Sequence, residues 1–320
     1  MKGGLEDREA RLAERRAKLS AGQQAMLEQR LRARSGGAEK AAPSSLVAIQ
    51  PSGSHPPFFC VHPAGGDVLC FQALSLHLGP EQPFYGLQSR GLAAGEEPFA
   101  TLEEMAASYR AEIARVTPGP YYLGGWSLGG AVVFELACQL ATEGREVAFL
   151  AVVDGTPGPW PPGGAAEAGD EDDARWLLDI ADYLRGLWGF DLGLSPEALR
   201  ALSPGDQVQC FLAALKNTPF GAGAGVEPLR RLLRVFKTNV RAFRSYRPGA
   251  YPGRITLFRP AADLDDPAAI ADPTIGWGAL SPHVEIETVP GDHISALAEP
   301  HVRTLAARLR TRIDLERSPT

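Results

Sequence analysis

The chain has 320 residues, enough for one large α/β unit or two smaller domains, and enough to bury a full core without disulfide staples. Its 44% hydrophobic and 22% charged residues exclude a wholly disordered or collagen-like chain. A formal net charge of −6 argues against a general nucleic-acid binder, and no apolar run reaches the ~18 residues that span a bilayer. No secretory signal opens the chain, so the expectation is a cytoplasmic protein with no membrane partner. Four scattered cysteines, Cys60, Cys70, Cys138 and Cys210, suit neither a disulfide framework nor a CxxC metal site; each is expected to be a small buried apolar residue.

In chain order, residues 1–45 come first, as a charged arm and linker. From Met1 to Lys40 there are ten basic and six acidic residues. Leu5, Leu12 and Leu19 recur every seven residues, and Ser20 suits the N-cap of a second amphipathic helix carrying Met26, Leu27 and Leu31. Ser35, Gly36 and Gly37 open a flexible linker. The arm is expected to be a solvated helical extension or a docking segment for a partner protein.

From residue 46 onward, short apolar runs alternate with helical patterns. Strands are expected at 46–50, 58–62, 83–88, 121–126, 146–154, 254–259 and 284–289, and helices at 102–116, 128–142 and 294–313. Strands separated by helices indicate a mostly parallel sheet covered on both faces. Between residues 155 and 253 the alternation stops. This stretch opens with Pro157, Pro159, Pro161 and Pro162 and continues with helical patterns at 175–187, 196–201, 205–215 and 227–246. About a hundred helical residues between two strands read as a lid.

Gly125-Trp126-Ser127-Leu128-Gly129 fits G-x-S-x-G, and a strand runs into it and a helix out of it. A turn this sharp needs small residues around the serine, and Gly124, Gly125, Gly129 and Gly130 supply them. The turn lifts the Ser127 hydroxyl above the carboxyl edge of the sheet, at a helix N-terminus where negative charge is favoured. A serine needs a base to become a nucleophile. Of six histidines only His293 falls in the loop after the last strand, at Pro290-Gly291-Asp292-His293. His301 is expected on the surface, His62 at the pocket mouth, and Asp292 as a cap of the terminal helix. The acid that orients the base is Asp154, at the end of the strand after the nucleophile helix, or one of Asp263, Asp265 and Asp266 one strand later. An oxyanion requires two backbone donors: Leu128, next to the serine, and Ala64 in the turn His62-Pro63-Ala64-Gly65-Gly66, with Gly65 in reserve.

Phe59-Cys60-Val61-His62-Pro63-Ala64-Gly65-Gly66, Gly124-Gly125-Trp126-Ser127-Leu128-Gly129-Gly130, Val153-Asp154-Gly155 and Pro290-Gly291-Asp292-His293 together resemble the thioesterase domains that end polyketide synthases and nonribosomal peptide synthetases. The resemblance spans about 46–309 and is weakest across 155–253. It implies an α/β-hydrolase fold with a helical lid, and it selects Asp154, twenty-seven residues after Ser127, as the acid. It also implies a reaction. An acyl or peptidyl chain on a carrier protein's phosphopantetheine arm acylates Ser127 and then leaves as an acid or a macrocycle. The arm arrives with the carrier, so no cofactor or metal of the enzyme's own is expected. Residues 19–31 are similar to the helical stretches at module boundaries of such synthases, which suggests contact with a synthase module. Gly65-Gly66-Asp67-Val68-Leu69 is similar to a carrier's attachment motif but has valine where the modified serine belongs. The alternatives are a discrete editing thioesterase, an esterase of small free esters, and a non-catalytic docking protein. In the lid Trp160, Trp176, Leu184, Trp188, Phe190, Phe211, Phe220, Phe236 and Phe243 are candidates for lining a substrate channel or for packing helices together.

Overall fold

The computed structural model describes residues 44–158, 173–216, 218–221 and 224–317. The arm helices expected before residue 44 and the channel candidate Trp160 lie outside them. Among the described residues seven strands form one sheet: β1 (Leu46–Gln50), β2 (Phe58–Val61), β3 (Phe84–Leu87), β4 (Tyr121–Trp126), β5 (Val147–Val153), β6 (Ile255–Pro260) and β7 (Val284–Val289). Their order is β1-β3-β2-β4-β5-β6-β7. Every neighbouring pair is parallel except β1 with β3, so the sheet departs from the parallel pattern only at this edge. The central strands are continuous apolar runs because both of their faces are covered: all of β2, β4 and β6 is buried.

Helices α1 (Gln72–Leu78), α2 (Leu102–Ile113) and α3 (Leu128–Thr142) follow β2, β3 and β4. Thr101 caps α2 by accepting a bond from the Glu104 N–H, and the Glu104 carboxylate reaches back to the Ala100 N–H. Two hydrophobic cores result, one on each face of the sheet. The first joins α2 and α3 through Leu102, Met105, Tyr109, Val133 and Leu136; the second joins α1 to the C-terminal helix through Leu74, Leu78, Leu305 and Leu309.

Between β5 and β6 lie α4 (Asp173–Trp188), α5 (Pro196–Arg200), α6 (Pro204–Leu215) and α7 (Val226–Ser245). Ser195 and Ser203 cap α5 and α6, each followed by a proline whose missing N–H costs nothing at a first helical position. These helices bury a third core of their own, built on Trp176, Leu177, Leu184, Phe211 and Leu229. After β6 come a short helix α8 (Pro267–Ala271), then β7 and the terminal helix α9 (Val302–Arg317).

That last helix begins eight residues later than its apolar pattern suggests. Residues Ser295–Leu297 form a separate 3₁₀ turn, Ala298 is extended, and Pro300 lacks the N–H that an uninterrupted helix would need. Asp292 therefore caps that turn, accepting bonds from the Ile294 and Ser295 N–H groups, and not the terminal helix. Two of the four cysteines, Cys138 and Cys210, are half-buried where full burial was expected, and all four are free thiols. No described helix is long and apolar enough to cross a membrane.

Candidate active site

The turn from β4 into α3 carries Ser127 at φ 58° and ψ −127°, a left-handed backbone that costs a non-glycine residue about 1–3 kcal/mol. Packing enforces it. A side chain on Gly125 would put its Cβ 2.1 Å from the Gly129 carbonyl oxygen, and one on Gly129 would meet the Val61 oxygen at 2.5 Å. Strand and helix can approach this closely only through glycine, and the Ser127 N–H is pinned by a 3.0 Å bond to the Val153 carbonyl. One strand along, Asp154 leaves β5 with φ 43°, its N–H donating to the Phe258 carbonyl at 2.9 Å. His293 lies in the loop after β7. The Trp126 indole donates to the His293 carbonyl at 3.1 Å, and the two rings sit 5.5 Å apart.

These three chain segments meet. His293 Nδ1 donates to Asp154 Oδ2 at 2.6 Å, and Nε2 faces Ser127 Oγ at 3.1 Å. The Asp154 side chain is 10% exposed and that of His293 44%, so the carboxylate is sheltered while the imidazole opens to the cavity. Behind Asp154 stands Arg259 of β6, 2% exposed, its Nε 3.9 Å from Oδ1. Arg259 is otherwise held by the Pro273 and Asp263 carbonyls. None of the three rival acids forms a described hydrogen bond with His293. Asp263 has its carboxyl pushed above the usual range, first by burial and then by the negative charge of Asp154. Asp265 is exposed, and Asp266 caps α8.

Two histidines depart from expectation. His62 does not line the pocket mouth: it is fully buried, with Nδ1 donating to the Pro63 carbonyl at 2.6 Å and Nε2 2.8 Å from the Tyr109 hydroxyl. The same hydroxyl donates to the Gln88 carbonyl at 3.1 Å, and burial lowers the His62 pKa to about 4. His301 is not a surface residue: it is half-buried, and a side chain on Gly291 would come within 2.5 Å of its Nδ1.

A cavity of about 170 Å³ opens in front of Ser127 and His293, walled by Pro63, Ala64 and Gly65 on one side and Ile180, Leu232 and Phe236 of the lid helices on the other. Of the channel candidates in the described residues, Phe236 alone lines it. Trp176, Leu184 and Phe211 lie in the lid's own core, Trp188 and Phe220 pack against it, Phe190 meets Phe220 edge to face, and Phe243 packs against the sheet-side core. Asp67 also faces the cavity, with a carboxyl that burial pushes upward and Oδ1 accepting from the Leu69 N–H. Leu128 is the first residue of α3, and neither its N–H nor that of Ala64 meets a protein acceptor among the described residues. No three metal-ligating side chains gather among the described residues.

A serine on a strained strand-to-helix turn, within reach of an acid-oriented imidazole at the carboxyl edge of this sheet, defines an α/β-hydrolase. Within that class the sequence pattern of the family described as "Thioesterase domain" matches residues 56–313, and the chain belongs to that family. It is a thioesterase. It is 37% identical over 228 residues to a dimodular nonribosomal peptide synthase of Bacillus subtilis strain 168, an alignment covering 70% of this chain and 9% of that protein. Among solved structures it resembles holo-AB3403, a four-domain nonribosomal peptide synthetase bound to AMP and glycine, with 28% identity, a TM-score of 0.76, and coverage of 89% of this chain and 21% of that one. It also resembles the NocB thioesterase domain in covalent complex with a fluorophosphonate nocardicin G analogue, with 26% identity, a TM-score of 0.61, and coverage of 84% and 100%. The chain thus spans a small part of these synthetases and the whole of an isolated thioesterase domain.

Proposed function

We propose that this thioesterase releases an acyl or peptidyl chain from the phosphopantetheine arm of a carrier protein through an acyl-Ser127 intermediate. The observation that carries the reading is the line of contacts Asp154–His293–Ser127, 2.6 and 3.1 Å long, ending at the cavity. Ser127 Oγ attacks the thioester carbonyl while His293 Nε2 takes its proton. The negative charge gathering on the carbonyl oxygen is met by the Ala64 and Leu128 N–H groups, and Asp154 stabilises the imidazolium. As the carbon–sulfur bond breaks, the imidazolium returns the proton to the leaving thiolate, and an acyl-serine ester remains. Water, or a hydroxyl or amine of the chain itself, then attacks that ester with His293 again as base; the acyl–Oγ bond breaks, the imidazolium returns the proton to Ser127 Oγ, and an acid or a macrocycle leaves.

The carrier is the partner this reading requires, in keeping with relatives in which the matching segment is part of a synthetase. The arm at 1–45 is read as its docking segment or as a contact for a synthase module. Four free thiols suit a reducing cytoplasm. The test is acylation itself. A fluorophosphonate should add one phosphonyl group to the wild-type chain, mapped to Ser127 by peptide mass spectrometry, and should not label Ser127→Ala. An acyl-pantetheine thioester should give a burst of free thiol in the wild type alone. Equal labelling of both proteins would refute the assignment, and faster turnover of the matching oxygen ester would favour an esterase.

A further inference from the structure

Asn239 is a polar residue on the buried face of α7, between Val235 and Ala242, and it is 0% exposed. An amide in such a place needs partners, or a leucine of similar volume would serve better. Its partners belong to the segments that follow β2 and β3. Asn239 Nδ2 donates to the Ala64 carbonyl at 3.0 Å, while Oδ1 lies 3.5 Å from the hydroxyl of Ser89, a residue that is 2% exposed. The Ser89 N–H in turn donates to the Gly66 carbonyl at 2.8 Å. One helical turn before Asn239, Val235 fills the space that Gly66 leaves: a Cβ there would stand 2.6 Å from Val235 Cγ1. Helix α7 is therefore seated directly on residues 64–66.

A peptide group is planar, so fixing a carbonyl also fixes the N–H of the next residue. The Pro63 carbonyl accepts from His62 Nδ1 at 2.6 Å and from the Gly66 N–H at 2.9 Å, which sets the direction of the Ala64 N–H from within the sheet domain. The next plane, carrying the Ala64 carbonyl and the Gly65 N–H, is held from the lid by Asn239. Ala64 sits between the two planes, and its backbone angles are set only when both are anchored.

We infer that Asn239 is a positioning residue through which lid helix α7 holds the oxyanion turn in its reactive geometry, so that acyl transfer at Ser127 depends on how that helix is seated. The inference rests on the roles given above to Ser127 and Ala64. The lid then helps to arrange the chemistry besides enclosing the substrate.

The experiment compares wild type with Asn239→Leu, Asn239→Asp and the milder Ser89→Ala in the full chain, after melting curves identify the folded variants. Three quantities are measured: kcat and KM on an acyl-pantetheine thioester, affinity for the trifluoromethyl ketone of the same acyl chain, and affinity for the uncleavable amide. The ketone forms a tetrahedral oxyanion on the serine, whereas the amide reports ground-state binding. Asn239→Leu and Asn239→Asp should lose about 10- to 100-fold in kcat and in ketone affinity alike, with KM and amide affinity within about twofold of wild type. Ser89→Ala should show the same paired loss at about threefold. A folded Asn239 variant with native kcat and ketone affinity overturns the inference; if neither folds, native values in Ser89→Ala do so. A general structural defect would weaken amide binding as well, and that outcome also counts against it. A wild-type protein that fails to bind the ketone, or a Ser127→Ala variant that still turns over, would instead remove the underlying assignment.

Discussion

The rim of the sheet and the four helices above it are built to different tolerances. At the rim, glycines bring backbone against backbone, so that one added methyl at Gly125 or Gly129 would overlap a carbonyl oxygen. Both Ser127 and Asp154 sit there at positive φ, held by bonds to neighbouring strands. In the lid the contacts run side chain to side chain around a core that Trp176, Phe211 and Leu229 build largely among themselves. The first region fixes atoms that must meet within hydrogen-bonding distance. The second shapes a cavity wall from Ile180, Leu232 and Phe236, whose neighbours can repack. On the proposed mechanism, reaction type and substrate choice would thus be carried by different kinds of structure.

The largest expected effect separates the two regions by chemistry. Asp154→Asn leaves the shape of the rim but cannot hold His293 in the tautomer whose Nε2 accepts, and kcat should fall about 10⁴-fold. Affinity for an uncleavable acyl-pantetheine amide, which reads the cavity, should stay at the wild-type level in calorimetry. A parallel loss of both would mean that rim and lid are not separable.

Next in size is Trp176→Ala, which removes a side chain only 3% exposed from the lid core and should cost about 4 kcal/mol. Hydrogen exchange should rise across α4, α6 and α7 while β4 and α3 keep their protection. Uniform loss of protection would show one cooperative unit where two cores suggest two.

The smallest is a pH effect in the rim. His62 has its pKa lowered from 6.5 to about 4 by burial, so below pH 6.5 the unfolded chain takes up a proton that the folded one refuses. Its contribution is complete above pH 6.5 and is lost as the pH falls towards 4, about 3 kcal/mol in all. Melting curves of wild type should be steeper in this window than those of His62→Asn, which has no titrating ring. Equal slopes would mean that His62 is hydrated or already charged in the folded state.

Much of the rim was legible in the sequence because its signals are local. Apolar runs marked the strands, glycines on both sides of a serine marked the turn, and Asp154 and His293 each follow the carboxyl end of a strand. What stayed hidden depends on contacts between distant segments. Arg259 and Asn239 each occupy one place in an apolar pattern, and nothing nearby tells a buried polar anchor from an exposed one. The position of His62 at a strand end did not reveal that its ring turns inward to Tyr109. The cavity wall was missed for a similar reason. Trp176 and Phe211 went to the lid's own core, while Ile180, one turn along α4 from Trp176 and part of the same core, also reaches the cavity together with Tyr183. The late start of α9 had a readable cue in Pro300, which outweighed the apolar spacing before it.

A lid with its own core also bears on how such an enzyme diversifies. An insertion that packs mainly on itself can be exchanged between homologues as a cassette, bringing a new cavity wall to an unchanged reaction centre. The graft should succeed where the incoming helix offers an amide at the place of Asn239 and a small aliphatic branch at that of Val235. Those two side chains, with Ala242 and Tyr246 buried in the sheet-side core, are the fitting by which a foreign cassette would have to engage the host.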